Sequence, residues 1–319
     1  GVTSSDGQTI FDHRRTGLVS QVYDETVFDF ATLPGHIASG HNRYGTSTKK
    51  IAPNAHTQPI VGEARKFTLG HNGNLPDTTK LEEFLQERGI RNPEYNDTEM
   101  MHAAIGYHVN RGANLENAIV EAIPLFTGVF SLLAMDKAKI VAARDTRGIR
   151  PLSIGSVDGS YVISSETVGF DIIGAKNIRD VAPGEIVIID QNGLSSYQFA
   201  PGEQRLDVFE FVYFARPESN LLGRNVSQVR DNFGRILAEE HPIDADIVVA
   251  VPYTASPAAI GYHEVSGIPY REGIGKNRFV GRTFITPGSE RRSNDMERTL
   301  HPIPEVVGKQ RVIVVDDSI

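Results

Sequence analysis

The feature that most restricts the fold is an apolar run followed by two acids. Residues 312–315 are all branched and apolar, which predicts a strand buried on both faces, as in a parallel sheet. Asp316 and Asp317 follow at once. Open α/β sheets bind ligands at the carboxyl ends of their strands, so this pair of carboxylates predicts a ligand site at a sheet edge.

The composition of the chain restricts the classes of function that it could have. A chain of 319 residues is long enough for two domains with their own cores. The sequence has no cysteine, which excludes disulfides, thiolate metal sites and cysteine-held iron–sulfur clusters in these residues. The net charge of −8 argues against generic nucleic-acid binding. No apolar run reaches the length of a membrane span and no signal peptide opens the chain, so we expect a cytoplasmic protein without a membrane partner.

The first two hundred residues predict strands around a helical insert. Helices are expected after Asp77 and Thr78, from about residue 96 to 111, and over 115–125. Apolar runs and a Gln-Asn-Gly turn predict strands at residues 66–69, 129–135, 139–143, 161–164, 185–190 and 194–199. Strands clustered around helices indicate a layered α+β domain.

The sequence pattern changes after the Ala-Pro-Gly stretch at 200–202. Strands are predicted at 208–214, 247–251 and 312–315, and a helix at 255–266. A second helix is predicted from one apolar face, formed by Val229, Phe233, Ile236 and Leu237. Alternation of strand and helix indicates a parallel sheet. We therefore expect two domains, 1–200 and 205–319.

A first group of candidate site residues lies in the first domain. Asn72 and Gly73 follow a predicted short strand, and an Asn side chain beside a glycine N–H can stabilise a developing oxyanion. The alternative is a surface hairpin turn, because Asn-Gly is a common turn dipeptide. Arg43, near the hydroxyl of Thr46, can clamp a carboxylate, and Asp97 can pair with an ammonium group. The alternatives are an ordinary ion pair for Arg43 and a helix N-cap for Asp97.

These residues together describe a pocket for an amino acid. Arg43 and Thr46 would take its carboxylate, Asp97 its amine, and Asn72 with Gly73 an acyl oxyanion. The order and spacing of the three signals carry more weight than any one of them.

A second group of candidate residues lies in the second domain. Asp316 and Asp317 can accept hydrogen bonds from vicinal ribose hydroxyls or help to place a magnesium-bound ligand. The alternative is a pair of acids that favours a helix N-terminus. Lys276 and Arg282 lie in a segment with a glycine and a hydroxyl, which suits a loop that closes over polyphosphate. The strand-to-helix turn before Ser256 can hold phosphate through N–H groups and hydroxyls.

The motifs in this order resemble the glutamine phosphoribosylpyrophosphate amidotransferases, the family that opens purine biosynthesis. The matching segments are 40–46, 70–75, 145–151, 164–167, 181–185, 213–219, 276–285 and 314–319, and they run through nearly the whole chain. Segments 213–219 and 276–285 are highly specific, whereas the first group of residues is shared more widely among glutamine amidotransferases with an N-terminal nucleophile.

The resemblance implies a fold and an activity. The fold would be an α+β four-layer N-terminal-nucleophile glutaminase domain followed by an α/β type I phosphoribosyltransferase domain. Ammonia released from glutamine in the first domain would displace pyrophosphate from phosphoribosylpyrophosphate in the second and give phosphoribosylamine. Magnesium would accompany the phosphoribosyl substrate, held indirectly by Asp316 and Asp317. Purine nucleotides would act as feedback inhibitors, and the enzyme would be a homo-oligomer.

The resemblance also implies roles for the candidate residues. Arg43 and Thr46 would bind the glutamine carboxylate, Asp97 its amino group, and Asn72 with Gly73 would form the oxyanion hole. Phosphoribosylpyrophosphate would contact the remaining candidates, which are Asp316, Asp317, Lys276, Arg282 and Ser256.

The chain departs from the family pattern at several positions. Family members begin, once mature, with a nucleophilic cysteine, whereas this chain begins at Gly1. Ser4 and Ser5 cannot replace an N-terminal nucleophile from the middle of a strand. We therefore expect a fragment truncated at both ends that has no glutaminase activity. Tyr253 stands where relatives commonly carry an acid, and Asp207 lies about where some relatives carry a cluster-binding cysteine, so no iron–sulfur cluster is assigned.

Two other functions stay open from the sequence. One is a catalytically dead homologue that binds nucleotide or phosphoribosyl ligands, which the missing nucleophile favours. The other is a different glutamine amidotransferase, such as a hexosamine-phosphate synthase, against which the Asp-Asp-Ser strand counts.

Overall fold

The computed structural model describes residues 1–43, 56–90, 94–277 and 299–317. They form two compact units. The first contains the described residues of Gly1–Arg43, Lys49–Ser165 and Phe170–Leu206. The second contains Glu166–Gly169 and the described residues of Asp207–Ile319.

The first unit is built from antiparallel strands. They are β1 (Val2–Ser5), β2 (Ile10–His13), β3 (Ile37–Gly40), β4 (Ile60–Val61), β5 (Thr68–Asp77), β6 (Thr127–Met135), β7 (Ile140–Arg144), β8 (Ser153–Val157), β9 (Ser160–Ser164), β10 (Lys176–Asp180), β11 (Glu185–Asp190) and β12 (Gly193–Gln198). Their sheet orders are β2-β1-β3, β10-β8-β9 and β12-β11-β7-β6-β5-β4.

The helices up to residue 206 are short. They are α1 (Val19–Val22), α2 (Thr79–Glu87), α3 (Asp97–Asn110), α4 (Leu115–Ala122) and α5 (Val168–Ile172), with 3₁₀ turns at Phe30–Thr32 and Ile123–Leu125. The three predicted helices of the insert are confirmed, as are the predicted strands from β6, β7, β9, β11 and β12 within one or two residues.

The six-stranded sheet separates two hydrophobic layers because side chains alternate along a strand. On β7, Val141 and Ala143 face the core made with α2, α3 and α4. Ala142, between them, faces a second core with Leu152 and Ile154 from the region of β8. Helices therefore cover one face of this sheet and a smaller sheet covers the other, which is the layered α+β arrangement predicted.

The second unit alternates short strands and helices. Its elements are a π-helical turn (Glu210–Phe214), β13 (Asn220–Leu221), β14 (Arg224–Asn225), α6 (Val226–Glu240), β15 (Ile247–Ala250), α7 (Ser256–Ser266), β16 (Ile274–Lys276), β17 (Leu300–Pro302), α8 (Pro304–Val307) and β18 (Val312–Val315). Strands β15 and β18 pair in parallel, with Ile247 opposite Val312 and Ala250 opposite Val315. The prediction of a parallel sheet is confirmed for this pair.

Helices α6 and α7 pack with their backbones in contact. A Cβ atom at Gly234 on α6 would overlap the carbonyl oxygen of Ala258 on α7, and one at Gly261 would overlap the carbonyl oxygen of Asp231. Glycine at both positions therefore allows the two helices to approach more closely than side chains would permit.

Two predictions for the second unit are wrong. Residues 208–214 were predicted as a strand but turn helically, because a short apolar run does not distinguish a strand from a helix. On α6 the helix is correct but its inward face is not. Phe233, Ile236 and Leu237 are exposed, whereas the buried residues are Val226, Arg230, Gly234 and Ala238. The close contact with α7 places Gly234 on the inward face.

Among the described residues, the helices are too short or too polar to span a lipid bilayer.

Candidate active site

The start of α3 is fixed by a capping box. The Asn96 side chain accepts the Glu99 N–H at 2.9 Å, and the Glu99 carboxylate accepts the Asn96 N–H at 2.9 Å. Asn96 is therefore the N-cap, so the interpretation of Asp97 as the cap is wrong. The Asp97 carboxylate accepts the Thr98 N–H at 2.8 Å and reaches β5, where it accepts the Leu75 N–H at 3.4 Å.

Asn72 and Gly73 lie inside a long strand and not in a turn. In β5, Asn72 is opposite Ser131 and Gly73 is opposite Phe130 on β6. The expected short strand at 66–69 and the hairpin-turn alternative are both wrong, because β5 continues to Asp77. Gly73 has φ +157°, and a Cβ there would overlap the Val129 carbonyl oxygen, so the strand requires glycine at this point.

A buried polar network joins β5 to α3. The His71 N–H donates to Gln58 Oε1 at 2.6 Å, and Gln58 Nε2 donates to Thr98 Oγ1 at 3.3 Å. The Thr98 hydroxyl also lies 3.2 Å from His71 Nδ1, which is 3.7 Å from the Asp97 carboxylate. Burial lowers the pKa of His71 below its ordinary value, although Asp97 opposes the shift. The imidazole is therefore neutral at neutral pH.

These residues were not predicted as part of the site. His71 lies within a segment used for the resemblance, but Gln58 and Thr98 carry no local signal. They are ordinary polar residues that meet because the segment before β4, strand β5 and helix α3 come together in the fold.

Arg43 is connected to the same helix through His56. The exposed Arg43 guanidinium donates to the His56 carbonyl oxygen at 3.4 Å. His56 Nδ1 lies 2.6 Å from the carboxylate of Glu99, in the first turn of α3. Thr46, its predicted partner, lies outside the described residues. The structure thus brings Asp97 against the strand that carries Asn72 and Gly73, with Arg43 linked to the first turn of the same helix.

The second group of candidates meets at one edge of the parallel pair. Asp316 and Asp317 directly follow β18, and the Asp317 N–H donates to Asp316 Oδ1 at 2.8 Å. The turn after the neighbouring β15 leads into Ser256, the first residue of α7. Because β15 and β18 are parallel and adjacent, their carboxyl ends lie at the same edge.

Lys276 reaches the turn between β15 and α7. Its Nζ lies 5.4 Å from the centre of the Tyr253 ring, a cation–π distance. Ser256 lines a shallow groove of about 320 Å³ together with Ser227 and Asp231. Arg282 and most of the predicted loop around it lie outside the described residues.

Arg230 is a charged neighbour of this edge that the sequence did not indicate. It is only 3% exposed and donates to the carbonyl oxygens of Phe211 at 2.6 Å and Ala215 at 2.8 Å. Burial lowers the pKa of Arg230, and the negative charges of Asp317 and Glu166 oppose this shift. The guanidinium therefore holds the end of the π-helical turn and adds positive charge near Asp317.

The carboxylates at this edge suit a magnesium ion that is held mainly by water and by the phosphates of a bound substrate. Within the described ranges, no group of three or more His, Cys, Asp or Glu side chains could enclose a metal. Magnesium usually keeps several waters and binds through one or two carboxylates plus substrate phosphates, which the Asp316–Asp317 pair can satisfy.

Comparison with known proteins gives matches over the whole chain. Residues 41–171 match the model of the "Glutamine amidotransferase domain" family. An amidophosphoribosyltransferase of Mycobacterium leprae is 41% identical over 100% of this chain and 58% of its own length. One from Bacillus subtilis is 36% identical over 100% of this chain and 67% of its own length. The chain thus spans somewhat over half the length of the first of these relatives.

Two solved structures share the fold. The glutamine phosphoribosylpyrophosphate amidotransferase of B. subtilis, complexed with ADP and GMP, superposes with a TM-score of 0.87 at 36% identity, covering 100% of this chain and 69% of that one. A structure described as the allosteric regulatory enzyme of purine biosynthesis gives a TM-score of 0.89 at 36% identity, with 100% and 68% coverage.

These matches confirm the predicted fold, a glutaminase domain of the N-terminal-nucleophile class followed by a type I phosphoribosyltransferase domain. They cover the second unit as well as the first, which counts against a hexosamine-phosphate synthase. With 36% identity to a relative of which it covers 67%, and with the same fold throughout, the chain belongs to the amidophosphoribosyltransferase family.

Proposed function

We propose that this family member takes part in the glutamine-dependent conversion of phosphoribosylpyrophosphate to phosphoribosylamine, the first step of de novo purine biosynthesis. The observation that carries the proposal is similarity to amidophosphoribosyltransferases along the whole chain, through both units. Residues 1–200 would act as the glutaminase domain and residues 205–319 as part of the phosphoribosyltransferase domain.

In the first domain, the substrate would lie between α3 and β5. Asp97, whose carboxylate already accepts the Leu75 N–H, would bind the α-ammonium of glutamine. Asn72 and the Gly73 N–H would donate to the oxyanion that forms when the amide is attacked. Arg43 and Thr46 would bind the carboxylate. The attacking nucleophile is not among the residues of this chain, which has no cysteine.

In the second domain, the pentose would lie at the edge formed by β15 and β18. Asp316 and Asp317 would accept hydrogen bonds from its ribose hydroxyls, and Lys276, Arg282 and Ser256 would contact phosphate groups. Magnesium, when bound with the substrate, would neutralise charge on the leaving pyrophosphate. Purine nucleotides as inhibitors, a homo-oligomer and a cytoplasmic location are parts of the same proposal.

The direct test is an assay of the protein made from the complete gene. With glutamine, phosphoribosylpyrophosphate and magnesium, we expect equal amounts of glutamate and pyrophosphate to be released. Ammonia should replace glutamine in pyrophosphate release. Binding of these ligands without any turnover would favour the catalytically dead homologue, and the absence of both binding and turnover would reject the proposal.

A further inference from the structure

Hydrogen bonds join His71, Gln58 and Thr98 in a closed ring, and the chemistry of the groups fixes the donor or acceptor role of each nitrogen atom. A backbone N–H can only donate, so the His71 N–H fixes Gln58 Oε1 as its acceptor at 2.6 Å. The other end of the amide, Gln58 Nε2, must then donate, and it does so to Thr98 Oγ1 at 3.3 Å. The orientation of Gln58 is therefore determined.

The imidazole can be assigned in the same way. His71 Nε2 lies 3.4 Å from the carbonyl oxygen of Val129, which can only accept. A neutral imidazole carries one proton, so Nε2 holds it and Nδ1 presents a lone pair. The Thr98 hydroxyl lies 3.2 Å from Nδ1 and 3.4 Å from Asp97 Oδ1, and donation to the nearer Nδ1 satisfies that lone pair.

This tautomer has a consequence for Asp97. His71 Nδ1 lies 3.7 Å from Asp97 Oδ2, yet it has no proton to give. The carboxylate beside it therefore receives no hydrogen bond from the histidine. A proton on Nδ1 would instead place a donor between the Thr98 hydroxyl and the Asp97 carboxylate, where it would compete with any incoming cation.

The imidazole of His71 also contacts the strand that carries the predicted oxyanion hole. A Cβ at Gly73 would lie 2.6 Å from His71 Nε2, so the imidazole packs directly against the backbone of Gly73. His71 is 5% exposed, Gln58 4% and Thr98 2%, which keeps water away from these bonds.

We propose that Gln58, His71 and Thr98 are positioning residues that prevent the histidine from donating a hydrogen bond to Asp97, and so make the site selective for an amide with an α-ammonium group. The inference rests on the proposed function, because it assigns the selectivity of the same site. None of the three residues needs to touch the substrate.

The test compares Thr98→Val with Thr98→Ser in the protein made from the complete gene. Valine has nearly the shape of threonine but cannot donate to Nδ1, whereas serine keeps the hydroxyl. The substrates are glutamine and glutaramate, which has the same amide but no α-amino group. Ammonia-dependent pyrophosphate release monitors the second domain.

We expect Thr98→Val to lower kcat/KM for glutamine roughly tenfold and to change that for glutaramate less than about twofold, with Thr98→Ser close to the parent. Equal losses for both substrates would mean that Thr98 only supports the fold, and this would overturn the inference. If the parent protein releases pyrophosphate neither with glutamine nor with ammonia, the proposed function itself fails.

A second measurement is independent of turnover and covers the case in which Thr98→Val does not fold. In ¹⁵N NMR spectra of the histidine-labelled 319-residue chain, His71 should show a protonated Nε2 and an unprotonated Nδ1, assigned by its loss in His71→Asn. A proton on Nδ1 would overturn the inference whatever the kinetics show.

Discussion

The Glu166 carboxylate accepts a hydrogen bond from the hydroxyl of Ser219 at 2.9 Å, between residues 53 positions apart in the sequence. The same carboxylate oxygen accepts the Arg216 N–H at 2.8 Å. One residue further on, the Thr167 hydroxyl accepts the Asn220 N–H at 2.8 Å. Both segments belong to the second unit, and both contribute to the family resemblance.

Loss of this contact should destabilise the second unit. Ser219 is fully buried, and its hydroxyl bonds to a charged group, so we expect Ser219→Ala to cost about 1–2 kcal/mol of unfolding free energy. Urea denaturation measures the loss. The matched control is Glu218→Gln, which breaks an exposed ion pair with Arg216 and should change stability by no more than about 0.5 kcal/mol. Equal effects of the two variants would contradict the prediction.

Replacement of Gly73 should destabilise the protein far more than replacement of a glycine that has open space at its Cβ position. In Gly73→Ala the new Cβ would overlap the Val129 carbonyl oxygen and crowd His71, so the strand must move. We expect a loss of more than about 2 kcal/mol, measured by thermal and urea unfolding. Gly89→Ala is the control, since Gly89 also has a positive φ of 70° but no atom within 4 Å of its Cβ position, and should cost only about 1 kcal/mol.

The Arg179–Glu185 pair should make stability depend on pH. Burial would raise the pKa of Glu185, but hydrogen bonds from Arg179 at 2.6 and 2.8 Å and from the Ala182 N–H at 2.7 Å lower it below its ordinary value. A lowered pKa in the folded state means that the pair stabilises the protein above the ordinary carboxyl pKa. That contribution is lost as pH falls through the folded pKa.

Removal of the arginine should therefore matter mainly at neutral pH. We expect Arg179→Gln to cost about 2 kcal/mol at pH 7, less than for a fully buried pair because the Arg179 side chain is 39% exposed. The difference from the parent should shrink in acid, measured by urea unfolding across the pH range. Arg205→Gln, which breaks an exposed pair with Glu203, is the control and should show little change at any pH. If Arg179→Gln lowered the unfolding free energy equally at every pH, the prediction that this ion pair makes stability depend on pH would be wrong.

The two proposed sites should respond separately to substitution. In the protein made from the complete gene, Asp316→Asn should slow phosphoribosyl transfer roughly ten- to hundredfold, because a charged acceptor for a ribose hydroxyl is lost. Glutamine hydrolysis should be largely spared. Pyrophosphate and glutamate release are measured in parallel, with the exposed Asp244→Asn as the control. If both reactions fell equally, the division into two sites would be wrong.

The 319-residue chain by itself should not hydrolyse glutamine. It contains no cysteine, and its serines near the start are engaged in the fold: Ser4 donates to the Pro34 carbonyl and Ser5 to that of Lys137. We expect no glutamate release above buffer in an enzyme-coupled assay. Measurable release that persisted in Asn72→Ala would show that the activity came from elsewhere, whereas release lost in that variant would contradict the prediction.

Local patterns predicted most of the elements but not the contacts that choose between alternatives. The apolar spacing and caps of α2, α3 and α4 are local, so these helices were predictable. The apolar run at 208–214 fits a strand equally well. In the fold its helical turn brings the carbonyl oxygens of Phe211 and Ala215 onto the buried Arg230, a contact that the local pattern does not show. The inward face of α6 was missed because packing against α7 depends on glycine and not on the largest apolar residues.

The residues of the candidate site also differ in whether the sequence could predict them. Arg43, Asn72, Gly73, Asp97, Asp316 and Asp317 could be proposed from the sequence because their residue types and order fit a known chemistry. Gln58 and Thr98 were not, since their roles arise from three separate segments meeting in the fold. Residues that touch a substrate leave a compact signature in sequence, whereas those that hold them in place do not.

The crossing of α6 and α7 limits how this part of the protein can be exchanged with a relative. The two helix backbones are in direct contact at Gly234 and Gly261. No side chains lie between them there that could adjust to a helix from another protein. A chimaera that swaps one helix alone should misfit at the crossing unless the donor has glycine at the same point. The two helices should therefore be exchanged together.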